Sequence, residues 1–363
     1  GHFAAPVQMS YLMENGRLVG RLPELNIGGD FYYKKTTDLF TNVDVSPING
    51  ITSYIMNNGD MLNKGFSISL NGYPVKTKNF RWYMSTYYSV NLNKVQTDDA
   101  RNYNLNDYLN GTAVVSGQPI STFYSYKFLG LNPQNGAPMF DDWEDRWHLL
   151  QGKTLDEVVP MILVNSGTRD PKFSGDLNNT FTYKNWSLSL NFSYSLGSKV
   201  RLFEMYGPII NGISAAANVR EEFLDRWQVP GDEKYTVYPL IISPSSPDYE
   251  HYRLHYSAPQ RAVGPNSGVP AFANNVWQMY DDSDLRVVSG NYLKLQSLSF
   301  SYRLNDRLLR KTPFTQLSIS FNTHNCFTIS AKELRGQDPS QAGFADAGLS
   351  IRPSYTIGLN VSF

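Results

Sequence analysis

The sequence predicts an all-β protein whose strands form a transmembrane antiparallel β-barrel with long loops on one side. Three observations lead to this prediction. Several segments alternate between apolar and polar residues, uncharged polar and aromatic residues take the place of charged ones, and short and long connections alternate along the chain. Alternation indicates strands with two different faces, and the other two observations indicate that one of those faces meets lipid.

The composition separates a barrel from other classes of protein. Charged residues make up 18% of the chain, against roughly 25% in a typical soluble domain, while 24 Tyr and 20 Phe raise the aromatic share to 14%. The sequence contains no run of about 18 apolar residues, which excludes a transmembrane helix. A closed barrel needs only alternate side chains to be apolar, so it accommodates a mean hydropathy of −0.37.

Charge and cysteine content exclude further possibilities. Lys and Arg together number 32, as do Asp and Glu, so the formal net charge is zero and no nucleic-acid partner is expected. Cys326 is the only cysteine, so no disulfide framework and no cysteine-based metal site is expected. The first residues lack the pattern of a signal peptide. Because an exported protein should carry one, we expect the sequence to be a processed or partial chain.

The segment at the end of the sequence alternates without error. From Tyr355 to Phe363 every second residue is apolar or aromatic, and the residues between them are Thr, Gly, Asn and Ser. This pattern predicts a strand with one apolar and one polar face, and the final Phe resembles the terminal strand of bacterial outer-membrane barrels. Taken alone, the segment also fits an edge strand of a soluble β-sandwich.

Three hairpins repeat the alternation upstream. Residues 177–183 and 186–196 flank a two-residue turn, so Tyr183 and Trp186 are expected to project from the same face. Paired aromatics at a strand end suit the interfacial girdle of a barrel and also suit a soluble core. The other hairpins join residues 66–75 to 80–84, with Val75 and Phe80 on one face, and 298–304 to 317–321. A change of parity between Leu295 and Leu298 predicts a bulge or a strand start outside the membrane, and further strands are expected at 25–33 and around 7–12.

The connections between these strands are unequal in length. Those at 76–79, 184–185 and 305–313 are short, while those at 36–63, 95–171, 199–289 and 329–350 are long and rich in Gly, Pro, Asn and Asp. This asymmetry predicts short periplasmic turns, long extracellular loops and a periplasmic C-terminus. Residues 123–129 are apolar enough for a strand, but a single extra crossing would break the parity, so we assign them to a folded extracellular loop. About nine crossings result, too few and of the wrong parity to close a bacterial barrel.

Seven segments, taken in order, carry a resemblance to a known family. They read DFYYKKTTDLF (30–40), NGDMLNKGF (58–66), GQPISTFYSY (117–126), GLNPQNG (130–136), DPKFSGDLNNTF (170–181), YLKLQSLSFSY (292–302) and YTIGLNVSF (355–363). Each is similar to a segment of the SusC-like TonB-dependent transporters, the outer-membrane component of Bacteroidota nutrient-uptake systems. Together they span nearly the whole chain.

The resemblance implies energy-coupled import through a barrel of about 22 strands. It implies a plug inside the barrel, a SusD-like surface lipoprotein outside it, and energy supplied through the TonB complex. Residues 1–363 would be the C-terminal part of the barrel, with the plug domain and the TonB box preceding them in a longer or cleaved polypeptide. The imported nutrient would be an oligosaccharide, with a peptide as the alternative.

The sequence contains no motif that predicts an enzyme, a cofactor or a metal site. It has no Gly-rich phosphate loop, nucleophile elbow or zinc-protease motif. His251 and His255 have a spacing that would place both on one face of a helix, but their Pro-rich surroundings do not predict a helix. Asp141, Asp142, Glu144 and Asp145 could bind calcium or a sugar, yet they lack the ligand spacing of a calcium loop, which favours a solvated loop.

Ligand binding in a transporter depends on polar lumen-facing side chains and loop aromatics. Sugars offer flat apolar faces that stack on aromatic rings, and on that ground the candidates are Trp143, Trp147, Tyr206 and Trp277. For each of them burial inside a folded loop is the competing interpretation. Two other functions are open from the sequence: a passive porin-like outer-membrane channel, and a secreted glycan-binding β-sandwich that would remain soluble without detergent.

Overall fold

The chain folds mostly into strands, with few and short helices. The computed structural model describes residues 2–7, 11–14, 17–21, 24–37, 40–44, 53–57, 59–96, 103–141, 144–150, 152–153, 155–209, 219–241, 249, 262–263, 269–270, 276–341 and 352–363. Within these ranges no helix has the length and apolar character needed to cross a membrane.

One antiparallel sheet of nine strands dominates the described residues, and its strands follow one another in sequence order. Strands β1 to β9 are His2–Val7, Glu24–Thr36, Asp60–Lys76, Phe80–Gln96, Phe173–Tyr183, Trp186–Leu196, Tyr292–Arg303, Gln316–Ser330 and Ser354–Ser362. The sheet is not closed: β1 and β9 are its two edges. The predicted number of strands is thereby confirmed, and the closed barrel stays a prediction.

Smaller elements lie in the connections. Helices α1 to α4 are Leu105–Asn110, Leu155–Ile162, Val276–Asp281 and Asp306–Leu309. Six two-stranded sheets pair Tyr11–Glu14 with Arg17–Arg21, Phe40–Asp44 with Ser53–Asn57, Thr122–Tyr126 with Leu163–Thr168, Phe128–Leu131 with Pro138–Phe140, Lys199–Arg201 with Val287–Ser289, and Ala262–Val263 with Val269–Pro270. Short 3-10 helices cover Glu144–Leu149, Gly207–Ile209, Glu221–Asp225, Asp232–Lys234, Asp284–Arg286, Lys332–Leu334 and Pro339–Gln341.

The predicted hairpins are confirmed, including details of their register. Tyr183 pairs directly with Trp186 across the β5–β6 turn, where Lys184 has a φ of 51°, as the favoured two-residue turns require. The predicted bulge is present, because Leu295 and Ser297 take successive partners on β6 while Gln296 between them takes none. In the β3–β4 hairpin Val75 pairs with Trp82.

The first strand lies earlier than the sequence predicted. Strand β1 ends at Val7 and pairs with β2, whereas Leu12 belongs to the separate strand Tyr11–Glu14. Residues 8–10, in the middle of the predicted strand, lie outside the described residues. The sequence of β1, HFAAPV, does not alternate and contains a Pro, which is tolerated on edge strands and gives no strand signal.

The two ends of the sheet differ in the length of their connections, as the sequence predicted. Three of its hairpin connections are short, at 77–79, 184–185 and 304–315. Lys184 donates its backbone N–H to the carbonyl of Asn79 over 2.9 Å, and Thr315 donates to Ser362 over 2.8 Å. Residues 37–59, 97–172, 197–291 and 331–353 form the long connections at the opposite end.

The described residues of the connections 97–172 and 197–291 contribute to one hydrophobic core, here called the loop core. It contains most of the buried large side chains of the described residues, among them Tyr108, Tyr126, Phe140, Tyr206, Trp277 and Tyr280. The predicted strand at 123–129 lies here as Thr122–Tyr126, fully buried and outside the main sheet. Part of the aromatic surplus of the sequence is therefore buried in the loop core.

Candidate functional site

The main sheet presents two chemically different faces. Along one row the paired residues of β3 to β9 are Val75, Trp82, Phe181, Leu188, Phe300, Phe321 and Ile357. One residue further along each strand, on the opposite face, the paired residues of β4 to β9 are Arg81, Thr182, Ser187, Ser301, Ser320 and Gly358. We call these the apolar face and the polar face.

The apolar face is exposed in the described part of the chain. Ile357 is 80% exposed, Tyr355 66% and Phe300 41%, so these side chains are not covered by a second sheet. Aromatic rings contact one another across neighbouring strands, as between Trp186 and Phe300 at 5.2 Å. Exposed apolar surface of this extent marks an interaction surface for membrane or protein.

One polar side chain on the apolar face, that of Asn179, is satisfied by another side chain. Asn179 lies among the apolar rows, paired with Met84 and Leu190. Its Oδ1 accepts a hydrogen bond from the indole nitrogen of Trp82 over 3.0 Å. An amide in apolar surroundings is costly without such a partner.

The polar face carries hydrogen-bonded uncharged side chains. The hydroxyl of Ser299 donates to Asn322 Oδ1 over 2.6 Å, and Gln296 Nε2 donates to Ser193 Oγ over 2.7 Å. Hydroxyl and amide groups can both donate and accept hydrogen bonds, so these side chains can interact with hydrophilic solutes.

Two long connections are anchored on the polar face near its loop end. Asn93 accepts from the backbone N–H of Ile120 over 2.8 Å and donates to Asp170 over 3.2 Å. Lys294 forms a buried ion pair with Asp338 at 2.9 Å, the two side chains being 3% and 9% exposed. Burial alone would raise the pKa of Asp338, but hydrogen bonds from Lys294 and Ser340 outweigh it and lower the pKa.

Arg201 joins the strands and helices of the loop core. Its guanidinium donates to the carbonyl of Leu109 at the end of α1 over 3.0 Å and to the carbonyl of Tyr124 over 2.6 Å. It also forms an ion pair with Asp282, directly after α3, at 2.6 Å. One planar group with several donors thereby fixes three elements that are distant in sequence.

Asp281 fixes the backbone of residues 205–207, which lie in the connection that follows β6. Its carboxylate accepts backbone N–H groups from Met205, Tyr206 and Gly207, each over 2.8 Å. Burial raises the pKa of Asp281 to about 6, against the lowering effect of Arg286 and of these three amides.

The structure places the predicted ligand-binding aromatics as follows. Tyr206 and Trp277 are 2% and 1% exposed within the loop core, and they donate hydrogen bonds to the carbonyls of Pro239 and Leu240 over 2.6 and 2.9 Å. Trp143 lies outside the described residues, and Trp147 lies in the 3-10 helix Glu144–Leu149, with its side chain outside what is described. The described aromatics thus sit in packing positions.

The candidate metal ligands are not brought together within the described residues. His251, His255 and Asp142 lie outside them, and Asp141 forms an ion pair with Arg146 at 2.5 Å. Among the described side chains, no group of three or more His, Cys, Asp and Glu is placed to hold a metal ion.

Sequence reasoning missed Arg201, Asp281, Asp282 and Arg286. The available signal was charge inside an apolar stretch, as in Val200-Arg201-Leu202-Phe203. Charged residues in such positions are rarely buried unless they are paired, and pairing partners far away in sequence cannot be read from the stretch itself.

Comparison with known proteins adds evidence beyond the fold. No protein-family model matches the chain. The TonB-dependent receptor P3 of Formosa agariphila is 24% identical, over 93% of this chain and 32% of the relative. The TonB-dependent receptor SusC of Bacteroides thetaiotaomicron is 27% identical, over 54% of this chain and 19% of that protein. The chain is therefore similar to SusC-like TonB-dependent receptors.

A solved structure agrees with the fold of this SusC-like chain. It is a structure of the RagAB peptide transporter, which matches with a TM-score of 0.65 and 19% identity over 93% of this chain and 33% of that chain. The SusC-like chain spans about a third of the length of the relatives that it matches most fully. The resemblance drawn from the seven sequence segments is thereby confirmed.

Proposed function

We propose that this chain forms part of the wall of an outer-membrane importer that takes up oligosaccharides. The observation that carries the proposal is the separation of the main sheet into an exposed apolar face and a hydrogen-bonded polar face across strands β3 to β9. In a barrel the first face meets lipid and the second lines the lumen.

The barrel would contain about 22 strands, of which the nine described here form the C-terminal part, residues 1–363. Bacterial barrels close with an even number of strands, so further strands would join the free edges of β1 and β9. The plug domain and the TonB box would lie upstream in the polypeptide.

The orientation follows from the connections. The short turns and the C-terminus would be periplasmic, and the loop core would lie outside the cell. A SusD-like lipoprotein would cover the extracellular side, and TonB would supply energy through the upstream part. Transport of this kind needs no bond-making residues, so we propose no enzymatic activity.

The second candidate cargo is a peptide. It is favoured by the likeness of the fold to the RagAB peptide transporter. Oligosaccharides are favoured by the family resemblance and by the uncharged hydroxyl and amide groups of the polar face, which can donate hydrogen bonds to sugar hydroxyls and accept hydrogen bonds from them.

The test is uptake by cells that produce the full-length transporter. Labelled oligosaccharides and labelled peptides are supplied separately, with and without a functional TonB gene. Import of oligosaccharide that stops without TonB supports the proposal, and TonB-dependent import of peptide alone shifts it to the second cargo. Uptake that continues without TonB indicates a passive porin-like channel, and recovery of the protein in the soluble fraction removes the barrel altogether.

A further inference from the structure

The short connections at one end of the main sheet carry an excess of positive charge. Residues 76–81, 183–186 and 303–316 contain eight Lys and Arg but one acidic residue, Asp306. Because the whole chain has 32 charges of each sign, the excess is a local property of this end. All eight basic residues are exposed; they are Lys76, Lys78, Arg81, Lys184, Arg303, Arg307, Arg310 and Lys311.

Hydrogen bonds join the three connections into one continuous edge. The backbone N–H of Lys184 donates to the carbonyl of Asn79 over 2.9 Å. On the other side, the backbone N–H of Arg303 donates to the carbonyl of Asn185, and the Asn185 side chain donates to the Arg303 carbonyl, each over 2.9 Å. The charges therefore lie along one edge, and we call the residues 76–81, 183–186 and 303–316 the basic rim.

The charge of the basic rim is largely unneutralised. Lys76 pairs with Glu24 at 3.0 Å, and the other seven basic residues form no ion pair within the described part of the chain. Near the loop end of the sheet, in contrast, Lys294 pairs with Asp338 at 2.9 Å. Positive charge concentrated on one edge attracts a negatively charged partner from outside the chain.

The basic rim adjoins the end of the exposed apolar face. Tyr183 and Trp186, which pair across the middle turn, are 50% and 43% exposed. The Nζ of Lys184 lies 5.3 Å from the centre of the Tyr183 ring, and the exposed Leu308 lies among the basic residues of 307–311. Aromatic and aliphatic side chains beside Lys and Arg are typical of surfaces at the boundary between hydrocarbon and lipid headgroups. A soluble acidic partner would account for the charge alone.

The basic residues of the rim fall into two groups by position. Arg81 and Arg303 lie within strands, on the polar face, which would line the lumen of a barrel. Lys78 and the three basic residues of 307–311 lie in the connections, beyond the strand ends. Lipid headgroups around a barrel could reach the second group but not the first.

We infer that the basic rim binds the headgroups of anionic phospholipids, in the leaflet on the side of the short turns. The inference rests on the proposed embedding of the apolar face in lipid and adds a preference for one class of lipid. The headgroup phosphates accept hydrogen bonds from the guanidinium groups of Arg307 and Arg310. Each Lys or Arg near an anionic membrane surface raises the affinity by about fivefold.

The experiment measures lipid binding to the full-length protein in an uncharged detergent by native mass spectrometry. The probes are phosphatidylglycerol and phosphatidylcholine with the same acyl chains, so the two lipids differ only in the headgroup and its charge. We expect phosphatidylglycerol to bind at least about tenfold more tightly, with a difference that decreases as the salt concentration rises. Equal binding of the two lipids overturns the inference.

Arg307→Gln combined with Arg310→Gln tests the rim directly, because both residues are exposed and lie in a connection. We expect the affinity for phosphatidylglycerol to fall by about fivefold for each charge removed, and the affinity for phosphatidylcholine to stay unchanged. The matched control is Arg81→Gln combined with Arg303→Gln, which also removes two guanidinium groups but takes them from the polar face. The control should keep the wild-type preference.

A second variant covers the case in which the first does not fold, as judged by its migration on gels before and after heating. Lys78→Gln combined with Lys311→Gln changes two other exposed residues of the connections, and we expect a similar loss. An unchanged preference in folded rim variants, or an equal loss in the polar-face control, overturns the assignment to lipid headgroups. A membrane-embedded protein that binds both lipids equally contradicts this inference alone, whereas recovery in the soluble fraction also contradicts the proposed function.

Discussion

Neighbouring residues of one strand lie on opposite faces of the main sheet and therefore have different surroundings. Leu190 pairs with Asn179 and Leu298 on the apolar face, whereas Asn191 pairs with Asn178 and Ser297 on the polar face. Because the side-chain period of a strand is two, a shift of a single residue changes which medium a side chain enters. If the apolar face meets lipid, the two positions should respond differently to charge.

We predict that Leu190→Arg lowers the free energy of unfolding by about 2–4 kcal/mol, the cost of Arg near the bilayer midplane. Asn191→Arg should cost much less, because the new charge remains in water. The measurement is equilibrium unfolding of the full-length protein in lipid bilayers, with each variant compared to wild type. Equal costs at the two positions would contradict the assignment of the faces.

Asp281 gives a second prediction at the residue scale, on pH. Burial raises its pKa from 3.8 in the unfolded chain to about 6 in the folded one, so the folded state holds the proton more tightly. The stabilising contribution of this proton is complete below about pH 4 and is lost as the pH rises through about 6. In Asp281→Asn this pH dependence should disappear.

The measurement is urea unfolding of the loop core, followed by tryptophan fluorescence between about pH 4 and about pH 7 for both proteins. Trp277 lies in the same core and reports its opening. The difference in stability between wild type and Asp281→Asn isolates this carboxylate from others that titrate in the same range. The difference in unfolding free energy between the two proteins could instead be constant across the range, or wild type could gain stability relative to Asp281→Asn as the pH rises. Either result would show that the pKa of Asp281 is not raised in the folded protein.

At the scale of elements, the sequence predicts the middle of each strand better than its ends. Strands β3 and β4 extend to Asp60 and Gln96, well beyond the predicted 66–75 and 80–84. In these extensions polar residues occupy both faces, as at Lys64 and Asn91. Backbone pairing continues there without apolar alternation, so a search for alternation stops at the edge of the apolar band.

The bulge between β7 and β8 is a second feature at this scale. One residue of β7, Gln296, lies opposite two residues of β8, Asn325 and Cys326, between regular pairs. Asn325 has a φ of 54°, in the left-handed region that Gly and Asn tolerate and β-branched residues do not. The change of parity in the sequence predicted the bulge in β7. It did not predict the left-handed backbone of Asn325 in β8.

We predict that Asn325→Val destabilises the protein by about 1–2 kcal/mol, the cost of a left-handed backbone for a residue with a branched Cβ. Asn325→Gly is the matched control and should lie within about 0.5 kcal/mol of wild type. Thermal unfolding of both variants decides the matter. If Val is tolerated as well as Gly, the left-handed backbone at this position is not required by the fold.

At the scale of the whole molecule, the order of the nine strands could be predicted because each strand pairs with its neighbour in sequence. The loop core could not. Arg201 contacts Leu109, Tyr124 and Asp282, and such contacts between distant segments leave no periodic trace in a single sequence.

The open edges of the sheet lead to a prediction for the whole molecule. Nine strands leave β1 and β9 unpaired with each other in the described structure, and an odd number does not close a bacterial barrel. Unpaired edges cannot satisfy their backbone groups in lipid, whereas a closed barrel satisfies all of them. The full-length protein should therefore fractionate with outer membranes and migrate differently on gels before and after heating, because a closed barrel stays folded in detergent until it is heated.

Residues 1–363 produced alone should show no such heat-dependent shift, because the sheet cannot close and its edges would associate with other chains. The comparison of both proteins on one gel, with and without heating, provides the test. A heat-dependent shift of the 363-residue chain alone would mean that these strands close into a barrel by themselves, which would favour a small pore over one part of a larger importer.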